Sequence, residues 1–255
     1  MKKMNLLLIL VLGLAACGPS TQSGPTTISG CQAALDGLSA LLNGYELPQH
    51  FMTDNPAKQG GEFDVMDYFT VFDHLSMKSG YLLDYVYHFD GMGGYPVLYA
   101  RSTTQPPYAT EADLQAVGDQ PGYLDYVQAD DTPEGYFQFA LLATVGGKFY
   151  LNWHANYNDT QIVCDKKGLN QIVSHIGKDD FGLPLPLTSR LRTILLNDVE
   201  PVVSLGEGTV EVRLVTFTKW GGFYLTTYSI DRSSPHTILD VQEKNLIPYD
   251  CGIMF

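Results

Sequence analysis

The spacing of apolar and polar positions divides this chain into a leader, a polar stretch and a long folded region. Met4 to Leu14 is apolar except for Asn5 and Gly13, and Gly18 to Gly30 (GPSTQSGPTTISG) is small and polar with two prolines. From Cys31 to Leu42 the residues Ala34, Leu35, Leu38, Leu41 and Leu42 recur at helical spacing and Asn43-Gly44 follows as a stop, which predicts a helix. Asp64 to Met77 predicts a second helix, with Val65, Phe69 and Phe72 on one side and Gly80 beyond its end. Alternation then takes over. In Tyr81 to Asp90, the residues Tyr81, Leu83, Tyr85, Tyr87 and Phe89 face one way, and Leu82, Asp84, Val86, His88 and Asp90 the other. Gly91-Met92-Gly93-Gly94 turns the chain into Tyr95 to Arg101, a predicted β-hairpin.

Ala109 to Val117 reads as a short helix behind Thr110 as N-cap. Gly122 to Val127 (GYLDYV) echoes the opening of the first strand (GYLLDYV), and Tyr136–Val145 and Lys148–Tyr157 around Gly146-Gly147 read as a second hairpin. Two prolines exclude a helix or central strand from Gly182 to Leu187. Thr188–Leu196 then predicts a short helix, and Val199–Leu205, Thr209–Phe217 and Phe223–Ile230 predict strands. The pattern is that of an α+β fold, mostly antiparallel β-sheet built from hairpins with a few flanking helices. The globular region is expected over 31–255. A likeness between Gly147-Lys148-Phe149-Tyr150-Leu151 and Gly221-Gly222-Phe223-Tyr224-Leu225 raises the prospect of two similar halves split near 176–187.

Composition narrows the function. Hydrophobic residues make up 45% and charged residues 17%, which places the chain among globular proteins rather than disordered ones. Sixteen tyrosines and twelve phenylalanines suit half-buried strands. The net charge of −13 repels phosphate backbones and anionic headgroups, so nucleic-acid binding is excluded as an expectation.

The leader supplies the sharpest motif. Lys2 and Lys3 precede the apolar run, which is too short to span a bilayer, and Leu14-Ala15-Ala16-Cys17 closes it. This resembles the signal peptide and lipobox of bacterial lipoproteins. The resemblance implies cleavage before Cys17, fatty acylation (palmitate or a similar chain) of Cys17, and residence on the cell membrane or envelope facing outside the cytoplasm. Residues 18–30 then serve as a flexible tether with a span of about 20 Å. An oxidising compartment permits disulfides. Cys31, Cys164 and Cys251 allow one bridge and one leftover thiol, with the pairing open.

Signatures of catalysis are sparse. The chain has no GxSxG, HExxH, Walker loop, SxxK or post-strand GxGxxG, no cysteine or histidine pair at zinc spacing, and no feature that calls for a cofactor or metal. The best candidates are Asp84, His88 and Asp90, on one side of the first strand at about 6–7 Å intervals. Asn152, His154 and Asn156 form a second polar row; if the two strands share a sheet, His88 and His154 line one concavity. Oxygen-rich loops at Asp130-Asp131 with Glu134, and at Asn156, Asn158 and Asp159, have cation-binding residue types that are also ordinary turn formers. Cys164 and Cys251 are weaker nucleophile candidates. The favoured reading is a membrane-anchored, non-enzymatic module that binds a protein or a small polar ligand, the latter through Asp90, Asn152 and Asn156. The alternative is an envelope hydrolase using Asp84, His88 and His154, with or without a metal.

Overall fold

The computed structural model describes residues 24–153, 159–178 and 182–252. In chain order its elements begin with β1 (Thr26–Thr27), α1 (Cys31–Leu42), α2 (Tyr68–Val71), β2 (Leu75–Met77), β3 (Tyr81–Phe89) and β4 (Gly93–Ser102). There follow α3 (Glu111–Ala116), β5 (Val127–Ala129), α4 (Pro133–Val145), β6 (Asn152–Trp153), β7 (Gln161–Val163) and α5 (Lys166–His175). The chain continues with α6 (Leu187–Leu195), β8 (Val202–Leu205), β9 (Thr209–Thr218), β10 (Gly222–Asp231) and β11 (Ile238–Pro248). The fold is α+β, and every strand pairing is antiparallel among the described residues.

Strand β9 organises the larger sheet, of order β1-β8-β9-β10-β11. One of its edges pairs along its whole length with β10. The other is shared end to end, with β8 opposite Val210–Arg213 and β7 opposite Val215–Phe217. In the first part of β9, Val210, Val212 and Leu214 are buried while Thr209, Glu211 and Arg213 are exposed, as expected where one face meets water. Beyond Leu214 both faces are covered. Val210, Val212 and Leu214 join one apolar cluster with α1 and α4, whereas Val215 and Phe217 join a second with Leu169 and Ile172 of α5.

Helix α4 corrects the sequence expectation of a strand over Tyr136–Val145. Thr132 caps it by accepting a hydrogen bond from Gly135 N at 3.1 Å, and Pro133 occupies the first turn. Residues 135–142 are all buried. A helix that is apolar on every side shows no period of 3.6, so periodicity could not separate it from a buried strand. With that helix in place the second predicted hairpin does not form. Among the described residues its return strand is represented by β6, which pairs Asn152 with Gly94 of β4.

The other expectations divide similarly. The helix over Cys31–Leu42 and the hairpin of Tyr81 onwards are present, and the short helices near 110 and 190 are α3 and α6. The predicted helix over Asp64–Met77 breaks after one turn of α2, because His74 N donates to the Gln138 side chain at 2.9 Å and Leu75 moves on into β2. The echo GYLDYV does not repeat β3 but forms a tight helical turn at Tyr123–Tyr126. One residue shorter than its counterpart, it packs against it, with the Tyr81 and Tyr126 rings 4.4 Å apart. The two GxFYL-like segments also differ, since Phe149 and Tyr150 follow a helix whereas Phe223 and Tyr224 lie within β10. Strand β11 was not anticipated. It is an exposed, charged edge strand, with Asp240, Glu243 and Lys244 guarding it against further pairing.

Candidate functional site

Strand β3 is buried on both sides. Leu83, Tyr85 and Tyr87 enter the core, where Phe51 stacks on Tyr87 at 4.4 Å and Phe149 meets Tyr85 edge-on at 4.9 Å. The opposite face, carrying Asp84, Val86 and His88, is roofed by the segment that follows β4. Tyr108 N donates to Tyr99 Oη at 3.1 Å, and Glu111 of α3 reaches His88. The hairpin register puts Tyr99 opposite Asp84, Tyr95 opposite His88 and Arg101 opposite Leu82.

Asp84 is therefore a carboxylate inside the protein, only 7% exposed. Its Oδ1 accepts from Lys58 Nζ and, at 2.8 Å, from Tyr85 N, and its Oδ2 accepts from Arg101 Nε at 2.9 Å. Burial alone would raise its pKa, but the Lys58 ammonium, the Tyr85 amide and Arg101 outweigh it and hold the carboxyl below its usual range. The Lys58 ammonium also lies 4.5 Å above the Tyr85 ring, a cation–π contact. Both cations keep partial access to solvent, Lys58 at 22% and Arg101 at 16% of the side chain.

These groups line a cleft of about 410 Å³ between β3 and the loop from Lys58 to Met66. Gly60 and Gly61 hold that loop open at φ +93° and +88°, a region where side chains other than glycine are strained. Glu62 closes it, accepting from Gln59 N at 2.7 Å and Gly60 N at 2.8 Å, with His50 Nε2 2.7 Å away. Tyr85 also lines the cleft, and its buried hydroxyl has no hydrogen-bond partner among the described residues. Burial pushes that phenol well above its ordinary pKa, so it remains a neutral donor. An unpaired buried hydroxyl costs on the order of 1–3 kcal/mol, which a ligand or water reaching it would recover.

Of the sequence-predicted residues, Asp84 and His88 share a face of β3 but not a task. Asp84 is engaged by Lys58 and Arg101. His88 Nδ1 is 2.6 Å from Glu111 Oε2, and its ring tilts against Tyr95 at 4.7 Å. Asp90 caps the hairpin turn, accepting from Met92 N at 2.9 Å and Gly93 N at 2.8 Å. Asn152 donates toward Met52 Sδ at 3.2 Å. The strand bearing Asn152 does belong to the sheet of β3, in the order β3-β4-β6, but His154, Asn156 and Asn158 lie outside the described residues. In the oxygen-rich loops, Asp131 grips Arg232 through two bonds of 2.7 and 2.8 Å. Asp130 pairs with His74 at 2.7 Å, and Asp159 accepts from Thr218 and Lys219 N, both at 2.6 Å. Among the described residues no group of three or more His, Cys, Asp or Glu is placed to hold a metal ion.

Sequence reasoning missed Lys58, Glu62, Tyr99, Arg101 and Glu111. Arg101 and Tyr99 could have been found by writing out the hairpin register, which sets them diagonal and opposite to Asp84. Lys58 had no such signal, because a loop residue's partner depends on tertiary packing. No protein-family model matches this chain, and neither a curated protein nor a solved structure is significantly similar to it.

Proposed function

We propose that this chain is a lipid-anchored, extracytoplasmic binding module that holds a small polar molecule in the Asp84 cleft. The observation that carries the reading is a preassembled Lys58–Asp84–Arg101 cluster opening onto a cleft that Tyr85 also lines. Fixed donors and acceptors of both signs favour a ligand that offers both, such as a polyol or a zwitterion. Glu62 and Asp64 on the rim weigh against a simple anion. The hydrolase alternative has less support, since Asp84, His88 and Asp90 serve separate partners rather than one reacting centre.

The anchor rests on the Leu14-Ala15-Ala16-Cys17 motif, and the Cys31–Cys164 disulfide is in keeping with an oxidising compartment. No helix among the described residues is long and apolar enough to cross a membrane. Two measurements test the reading. Mass spectrometry of the mature chain should find acyl mass on Cys17, and an unmodified chain with its leader attached would refute the anchor. Amide chemical-shift titration with neutral sugars, free amino acids and dicarboxylates should move Gly60, Gly61 and Tyr85 together for one class. Silence from all classes in the native chain, or equal shifts in Arg101→Met, would refute the cleft.

A further inference from the structure

Helix α6 is inverted relative to an ordinary surface helix. Its small polar residues Ser189 and Thr193 are buried, at 7% and 3% exposure, while Leu187, Leu191, Ile194 and Leu195 are 53–76% exposed. Leu183, just upstream, is 60% exposed as well. Five of the eleven large hydrophobic side chains exposed among the described residues thus fall between 183 and 195, so the patch is concentrated rather than scattered. At about 100° per residue, Ile194 and the three exposed leucines of the helix occupy one sector and Ser189 and Thr193 the opposite one. Arg190 and Arg192, both exposed, fall on the two flanks between these sectors.

The roll of the helix is locked from below. Lys166, in the first turn of α5, donates its ammonium to the carbonyls of Thr193, Ile194 and Leu196 at 2.6, 3.0 and 2.5 Å. This satisfies the carboxyl end of α6 and keeps its polar side inward. The apolar sector is held outward by the fold rather than by fraying. Such a face, flanked by arginines whose stems can lie along it while their heads meet phosphate, has the chemistry of a helix lying in a lipid headgroup layer. Over residues 165–200 the five basic residues, Lys166, Lys167, Lys178, Arg190 and Arg192, are matched by Asp165, Asp179, Asp180, Asp198 and Glu200, so this stretch is neutral in a chain whose net charge is −13.

We infer that α6 is a membrane-contact helix, its Leu187–Leu191–Ile194–Leu195 face seated in the surface of a phospholipid bilayer. The inference rests on the anchored reading above and adds which side of the globule faces the lipid. The expectation drawn from net charge, that the protein surface would be repelled, averages over the chain and misses this one region.

The full mature chain is reconstituted in vesicles of zwitterionic and anionic phospholipid, with Leu191→Trp compared against Met92→Trp, an exposed site on the β3–β4 turn. The native Trp153 and Trp220 signal is subtracted using the unsubstituted chain. Lipids brominated in the acyl chain should quench the indole introduced on α6 about twofold and blue-shift it, leaving the indole on the hairpin turn unchanged. A chain that stays on the vesicles with the α6 indole unquenched overturns the membrane-contact helix while sparing the anchor. An α6 indole that is blue-shifted but unquenched also overturns it, in favour of a protein surface covering the helix. A chain without acyl mass whose α6 indole is still quenched removes the anchor and keeps the helix.

Discussion

Cys31, the first residue of α1, and Cys164, just past β7, are joined by a disulfide that spans 133 residues of chain with Cα atoms 5.5 Å apart. The bond ties α1, the first helix among the described residues, to the strand that shares an edge of β9 with β8. It lies where α1 and the larger sheet meet, and both cysteines belong to the same apolar cluster. Cys251 is left as a buried thiol.

A loop of this size loses much conformational freedom when closed, so removing the link frees the unfolded chain far more than the folded one. The pair Cys31→Ser and Cys164→Ser should lower unfolding stability by about 2–5 kcal/mol. Urea unfolding followed by tyrosine fluorescence measures it, with reduction of the native chain giving a similar loss. A midpoint unchanged by reduction would count against the bond as a structural tie.

Asp84 should be costly to neutralise. Asp84→Asn leaves Lys58 and Arg101 facing each other without their shared counter-charge, and partial solvent access tempers the cost to about 2–3 kcal/mol, below that of a fully buried pair. Because the folded carboxyl titrates below its unfolded value, its contribution is complete above about pH 4 and is lost as the pH falls through the folded pKa. Thermal melts of the native chain should therefore steepen in their decline below pH 4, and those of Asp84→Asn should lose that part of the slope.

His74 predicts the opposite dependence. The hydrogen bond to Asp130 raises its pKa against the opposing effect of burial, with Asp73 and Glu134 adding to the rise. Its contribution is complete below the unfolded value of about 6.5 and disappears as the pH climbs through the higher folded value. Melting temperature should fall modestly from pH 6 upward, and His74→Gln should flatten that fall. A native profile level across the range would show that solvent screens the pair.

Gln138 fastens α4 to the start of β2 by two bonds, accepting from His74 N at 2.9 Å and donating to Asp73 Oδ1 at 3.0 Å. Gln138→Leu keeps the volume but orphans a backbone N–H, a cost of about 1–3 kcal/mol. Hydrogen exchange at His74 should accelerate more than exchange at Tyr85, which sits deeper in the sheet. Equal acceleration at both would mean global loosening rather than release of this joint.

The sheet-rich half of the molecule was legible because apolar and polar residues alternate along strands β3, β4, β9 and β10, and helix α1 shows its apolar residues at helical spacing. The α+β class follows from them. Helix α4 left no such trace. It is surrounded on every side, so residues 135–142 are uniformly apolar or small except for Gln138, and neither period can register. For the candidate site, Asp84 stood out by its position on β3, yet its meaning was inverted: what reads as a solvent face is covered by the chain after β4.

By itself the sequence settles the local choices: which stretches alternate, where turns fall, which residues can cap a helix, and how much charge the chain carries. Packing decides the rest. Whether a polar face meets water, an ion-pair partner or another strand depends on segments distant in the chain, as with Lys58 at Asp84 or Lys166 beneath α6. Those pairings are fixed by burial energies summed over the whole fold, which no window of residues contains.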